Sequence, residues 1–492
     1  MRFILGLLLI GFTINLSAQQ LVMRGDNADP SVVKIGDTYW ASSTTSNWFP
    51  AYPLMSSKDL VNWTRQGYVF DKKPEWADYY FWAPEISYEN GKVYIYYSAH
   101  KKDGNLCVGI ASADKPEGPY TDHGPLICEP AGSIDAFPMR DENGKLYIIW
   151  KEDGNSIKEP TPIWAQELNE ERTAVIGEKK ELFRNSQPWE GNLVEGVSMI
   201  RKNGYFYAFY AAAGCCGIAC TYTSGVARAK SLLGPWEKYE KNPLLTNNER
   251  WLCPGHGTPV EKDGRHYFLY HAYDKVSTVY TGRQGVLKEF RFTDDNWIQF
   301  VDKPLGDDLP LTGFSDAFNG PELHEFWQWS IFKTMEPRFE NGTLIVSADS
   351  TASGSYLGTK ILSGNFTATL KLAKGSGAAT GLAVIGDDEN LVTLYHDKDY
   401  LRIVQVQGGA TKEIAKLKVA ASAPMFLRMQ TRDGNKITFT FSRNGTKYQP
   451  IPGGTVDGSY LPPWDRALRI GPASKGAPST TAAFDDFRVI YK

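Results

Sequence analysis

One pattern recurs five times between residues 29 and 267: an acidic or imidazole side chain, a short apolar run, a turn built on Gly, and a second strand rich in aromatics. It opens at Asp29, before Gly36–Asp37–Thr38–Tyr39–Trp40, and again at Glu85, before Asn90–Gly91 and Tyr94–Ile95–Tyr96–Tyr97. It returns at Asp135, Glu195 and His256, each followed by Asn143–Gly144, Asn203–Gly204 or Asp263–Gly264 and a further aromatic strand. Asn-Gly and Asp-Gly between alternating strands are hairpin signals. The openings at 29, 85, 135, 195 and 256 are spaced by 56, 50, 60 and 61 residues, the length of a four-stranded propeller blade. Extra outer-strand phrases, such as Asp59–Leu60–Val61–Asn62–Trp63 and Gly234–Pro235–Trp236, fit the same unit, and no sustained helical period competes. The first strand of a blade is innermost, so the five opening residues should ring one end of the axial channel. Any one of them could be a turn residue or a cap; five in register point to a built site.

After Phe300 the register breaks, and Pro304 to Pro310 reads as a loop. Beyond it, short alternating strands such as Phe366–Leu372 and Lys436–Phe441 are separated by Gly-rich turns, which predicts a separate β-sandwich. A chain of 492 residues exceeds the usual size of one hydrophobic core. The expected organisation is therefore all-β: a five-bladed β-propeller over residues 19–310, then a β-sandwich over 311–492, with residues 1–18 as a leader. That leader has Arg2, an apolar run from Phe3 to Ile14, and Leu16–Ser17–Ala18 before Gln19. These are the marks of a signal peptide cut after Ala18, too short for a membrane span. The mature protein is expected to be secreted or periplasmic, with no membrane insertion. Lys and Arg number 53 against 56 Asp and Glu, without long runs of either sign, which argues against nucleic acid as a partner. Aromatics make up 13% of the chain, which suits strands and also the C–H faces of sugars.

The cysteines are Cys107, Cys128, Cys215, Cys216, Cys220 and Cys253. Export permits disulfides. Zinc would need a second paired element of suitable spacing, which is missing, so the cluster at 215–220 reads as a structural or redox-shaped loop.

Hydrolysis of a glycosidic bond needs an acid to protonate the leaving oxygen and a base to activate water. Carboxylates from different blades can face each other across the axis. A third carboxylate beside the acid keeps that acid protonated near neutral pH. Asn27–Ala28–Asp29–Pro30, Ile134–Asp135–Ala136 and Val194–Glu195–Gly196 supply the three.

In these motifs the chain resembles glycoside hydrolase family 43. The likeness extends through Phe81–Trp82–Ala83–Pro84–Glu85, Gly255–His256–Gly257 and Gly282–Arg283–Gln284. Phe314–Ser315–Asp316–Ala317–Phe318 resembles the start of the concanavalin-like sandwich, a jelly roll, in xylosidase-type members. The resemblance implies Asp29 as general base, Glu195 as general acid and Asp135 as modulator of the acid, in an inverting reaction. It implies an exo-acting hydrolase that releases β-D-xylose or α-L-arabinofuranose from plant polysaccharide or its oligosaccharides. No cofactor is required, and a structural calcium ion near His256 is compatible with some relatives.

Trp82 and Phe137 flank ring positions and are candidate sugar platforms, or else blade-packing aromatics. Arg283 is a candidate substrate ligand or an interblade ion-pair partner; His256 touches substrate, water or an ion, or is structural. Glu85 is read as structural, because the mechanism already has three carboxylates. Two other functions stay open: a carbohydrate-binding protein that keeps the fold without catalysis, and an endo-acting arabinanase- or galactanase-type hydrolase. The adjacent Cys215 and Cys216 depart from the commonest xylosidase pattern and place arabinofuranosidase at least level with xylosidase.

Overall fold

The computed structural model describes residues 18–419 and 424–492. The expected leader lies outside the described residues except for its last position.

Five antiparallel sheets stand as blades around one axis. Their innermost strands are Ser31–Ile35, Ala77–Glu89, Ser133–Arg140, Val194–Lys202 and Trp251–Lys262. Four blades are built in simple chain order, the first passing over Trp48–Phe49, which lies outside its sheet. The fifth is closed by the chain's own beginning: Gln20–Met23 pairs antiparallel with Arg283–Phe292, opposing Leu21 to Val286, while Ile298–Phe300 pairs further along the same strand. This pairing closes the ring between its first and last turns and removes the open edge that a linear array of sheets would leave.

The aromatic strands explain why the blades pack. Each junction between neighbouring blades holds an apolar cluster, such as Trp40, Phe81 and Tyr97 between the first and second, or Phe209 and Phe268, stacked at 4.7 Å, between the fourth and fifth. Alternate residues of each strand face opposite sides of the sheet, so one strand feeds two such clusters.

The sandwich begins with Phe314–Asp316 and sets an eight-stranded sheet against a seven-stranded one over a core that includes Phe318, Trp327, Leu370, Phe439 and Phe484. Two features dock it on the propeller. Trp48–Phe49 of the first blade pairs with Trp329–Ser330. Asp26, three residues before Asp29, is buried against Arg469 at 3.3 Å and accepts from the Ala467 amide. A buried pair of this kind is costly to break by removing one partner, about 3–5 kcal/mol, so the segment that leads into Asp29 is held from both domains.

Candidate active site

The inner strands are irregular where they reach the cavity. Asp29 and Asp135 adopt left-handed backbone, at φ 49° and 57°, and the pairing register shifts between Ile134 and Phe137 and between Glu195 and Ser198. A bulge re-aims a side chain that regular alternation would send elsewhere. On the inner strand of the second blade Tyr80, at φ 57°, and Ala83, at φ 42°, share this conformation, and Glu85 does not. Ala83 lines the cavity, while Glu85 lies two residues further along the strand. There it receives a bond from Thr258, and burial raises its carboxyl to about 8. The expected ring of five therefore has four members at the cavity, Asp29, Asp135, Glu195 and His256; Glu85 packs beside Ser31 and Thr258.

A cavity of about 550 Å³ takes in Asp29, Asp135, Glu195, His256, Arg283 and Trp82. Around Asp29, Thr44 Oγ1 donates to Oδ2 at 2.6 Å and Arg283 Nη1 to Oδ1 at 3.2 Å, with His271 Nδ1 3.1 Å from the same oxygen. Burial alone would raise this carboxyl; the Arg283 guanidinium is the largest influence that outweighs it and holds Asp29 well below the usual carboxylate range, while the Asp29 amide donates to His271 Nδ1 at 3.0 Å. Burial also drives His271 down to about 4, so its ring is neutral at ordinary pH.

Glu195 sits between two donors: Tyr222 hydroxyl to Oε1 at 2.8 Å and Lys151 Nζ to Oε2 at 2.6 Å. Burial would lower Lys151, but Glu195 and Asp153, the latter 2.8 Å away, more than compensate and keep the ammonium charged. Burial and the Glu195 charge keep the Tyr222 hydroxyl protonated, well above its ordinary range.

Asp135 Oδ2 accepts from the Gly196 amide at 2.8 Å, which ties it to the peptide unit next to Glu195. Burial raises Asp135 to about 6, and the Glu195 charge adds to the effect, while His256 and Lys151 oppose it. His256 Nδ1 lies 3.6 Å from Asp29 Oδ1 and 3.9 Å from Asp135 Oδ2, between the two carboxylates.

Two glycines make this packing possible. A Cβ on Gly196 would fall 2.7 Å from His256 Cγ, and one on Gly255 would fall 2.0 Å from the Tyr222 ring. The Gly after Glu195 and the Gly before His256 are thus steric requirements of the site.

Trp82 lines the cavity, stacked on Tyr80 at 4.3 Å, with its Nε1 donating to Asp465 Oδ2 at 2.9 Å. Phe137 does not line it. Because of the bulge at Asp135, Phe137 turns into the cluster between the third and fourth blades with Ile149 and Phe206, so the sugar-platform expectation is corrected to the packing role. Spacing gave no sign of Lys151, Tyr222, His271 or Thr44, which come from second strands and loops, nor of Trp464 and Asp465 from the sandwich. Trp464, 53% exposed, meets Trp82 edge-on at 5.7 Å, and the Asp465 carbonyl accepts from Arg283 Nη2 at 2.9 Å. Among the described residues no group of three or more His, Cys, Asp or Glu side chains is placed to hold a metal ion.

The cysteines pair as Cys107–Cys128, Cys215–Cys216 and Cys220–Cys253. The cluster at 215–220 is thus a doubly bridged loop at the cavity.

Comparison with known proteins places the chain by sequence and by fold. The family profile described as Glycosyl hydrolases family 43 matches residues 18–298, and that described as Beta xylosidase C-terminal Concanavalin A-like domain matches 315–464. Xylosidase/arabinosidase 43B of Humicola insolens is 26% identical over 361 residues, 64% of each protein. The non-reducing end alpha-L-arabinofuranosidase BoGH43B of Bacteroides ovatus is 25% identical over 444 residues, 78% of each. Against the Xylan 1,3-beta-xylosidase of Vibrio sp the match, 27% identical, covers 56% of each chain, so several curated relatives are spanned by about half to two thirds of their length. In fold, the xylan beta-1,4-xylosidase of Bacillus halodurans superposes with a TM-score of 0.80 at 23% identity, covering 95% of this chain and 99% of that one.

Proposed function

The chain belongs to glycosyl hydrolase family 43, and on that premise we propose that it is an exo-acting, inverting hydrolase that releases a terminal pentose, β-D-xylose or α-L-arabinofuranose, from plant polysaccharide or its oligosaccharides. The observation that carries this reading is the convergence of Asp29, Asp135 and Glu195, from three blades, on one cavity in which their surroundings differ sharply.

Asp29, held ionised by Arg283 and its neighbours, is the general base that takes a proton from the attacking water. Glu195 is the acid that protonates the leaving oxygen; once it has given up the proton, Lys151 and Tyr222 are in place to stabilise its carboxylate. Asp135, tied to the Gly196 amide, stands beside the donor, where the two carboxylate charges oppose each other. Trp82 and Trp464 offer ring faces to a sugar, and Arg283 reaches both the base and the sandwich.

Exo action is supported by the sandwich loop at Trp464–Asp465, which walls one side of the cavity where an endo enzyme needs an open cleft. The intact trio favours catalysis over binding alone. Relatives include the Extracellular exo-alpha-(1->5)-L-arabinofuranosidase ArbA of Cellvibrio japonicus, 26% identical over 318 residues. With the signal-like start, this supports export of the mature chain.

Assay of nitrophenyl β-D-xyloside and nitrophenyl α-L-arabinofuranoside side by side, with Asp29→Ala as control, tests the reading. Activity on at least one, lost in the control, is expected. Binding of sugars without turnover of either substrate would overturn the exo reading and leave the carbohydrate-binding and endo-acting alternatives.

A further inference from the structure

We propose that the Cys215–Cys216 disulfide is a substrate-facing wall of the cavity, a specificity-determining element that packs on the terminal pentose and backs Arg283. This rests on the reading of the cavity as a pentosidase site.

Both cysteines line the cavity, and Cys215 Sγ lies 3.6 Å from Arg283 Nη1, itself 3.2 Å from Asp29 Oδ1. One guanidinium thus separates the bridge from the base. A sugar whose anomeric carbon is attacked by water held at Asp29 must lie beside it.

The bridge does not explain itself as a staple. A disulfide stabilises chiefly by closing a loop in the unfolded chain, and the gain grows with loop length. The other two bridges span 21 and 33 residues, whereas this one joins neighbours. What a bridge between neighbours does constrain is the local turn, by closing a small ring.

The surrounding loop is held to match. Cys220–Cys253 ties it to the innermost strand of the fifth blade. Gly214 and Thr221 bond each other twice, and the Gly217 amide donates to the Tyr273 hydroxyl at 3.2 Å. Across the domain seam, a Cβ on Gly217 would sit 3.5 Å from the Trp464 carbonyl oxygen. The two cysteines therefore line the cavity from a fixed frame, with Cys215 Sγ against Arg283.

Their chemistry also differs from that of the ionisable side chains near the base, Asp29, Asp135, His256 and Arg283. A disulfide presents an apolar, polarisable surface with no hydrogen to donate, suited to the C–H face of a furanose or pyranose ring. Preorganised contact of this kind improves binding without taking part in the bond-making step.

The test uses the full chain with Cys215→Ala/Cys216→Ala, assayed on both nitrophenyl pentosides and on nitrophenyl β-D-glucoside, which carries one hydroxymethyl more than the xyloside. The expected result is a KM raised about 5–20-fold on the preferred pentoside with kcat changed less than about 3-fold, a gain in relative activity on the glucoside, and an unchanged melting temperature. As a second measurement, the native enzyme is treated with a water-soluble phosphine until peptide mass mapping shows the 215–216 bridge open, and the same KM rise is expected. A folded double variant or opened enzyme with wild-type KM on the pentosides would overturn the wall. A wild type inactive on both pentosides would instead overturn the functional reading beneath it.

Discussion

Replacing Asp135 with Asn keeps the shape and the acceptor for the Gly196 amide but removes the charge. In the folded protein Asp135 is raised from its ordinary 3.8 to about 6, with burial the largest cause. The folded state therefore binds this proton more tightly than the unfolded chain. Stability must fall as pH rises from about 4 to about 6, and above that window the whole cost is present. About 2 pH units at about 1.4 kcal/mol each make about 3 kcal/mol at pH 7. The Asn variant cannot ionise, so it should escape this cost: near pH 4 the two proteins should melt together, and above pH 6.5 the variant should melt higher by about 5 °C for a propeller of this size. Activity should move the other way, since kcat/KM on unactivated substrates needs the charge. Thermal unfolding from pH 4 to 8, followed by circular dichroism, reads the difference. A variant that melts lower than wild type at pH 8, or that shows the same slope with pH, would refute the reasoning and leave Asp135 a structural residue.

Glu195→Gln should spare substrates with activated leaving groups far more than natural oligosaccharides, because only the latter need a proton on the departing oxygen; comparing kcat/KM on dinitrophenyl and natural glycosides checks this, and equal losses would count against Glu195 as the acid. Arg283→Gln removes the cation that holds Asp29 ionised. Asp29 lies below its ordinary range in the fold, so the pair stabilises above about pH 4 and is lost in acid. The variant's acidic limb in kcat/KM should move up by about 1–3 pH units, and its melting deficit should be larger at pH 7 than near pH 3; an unmoved limb would mean that Arg283 does not govern the base.

The blades were legible because each begins a strand that ends in a Gly turn, Asn-Gly or Asp-Gly in four of the five, and returns through aromatics, a local signal repeated at nearly constant spacing. The three carboxylates followed from that register. Glu85 and Phe137 show where the register stops being a guide. Regular alternation would put Asp135 and Phe137 on one face, yet the left-handed backbone at Asp135 turns the two apart, and the same device puts Ala83 rather than Glu85 at the rim. A bulge of one residue leaves no mark in composition. Lys151 and Tyr222 were hidden for another reason: they reach Glu195 from other strands, and the fit of Tyr222 depends on the missing side chain of Gly255. Trp464 and Asp465 arrive from the second domain, through docking that no sequence period encodes.

The central claim is that Asp29 activates water and never bonds to the sugar. Proton NMR of the first-formed pentose, recorded before mutarotation, tests it most directly. Inversion predicts an anomeric signal opposite to that of the substrate linkage, α-xylose from a β-xyloside or β-arabinose from an α-arabinofuranoside. A product that keeps the substrate's configuration would make Asp29 a nucleophile and contradict the account.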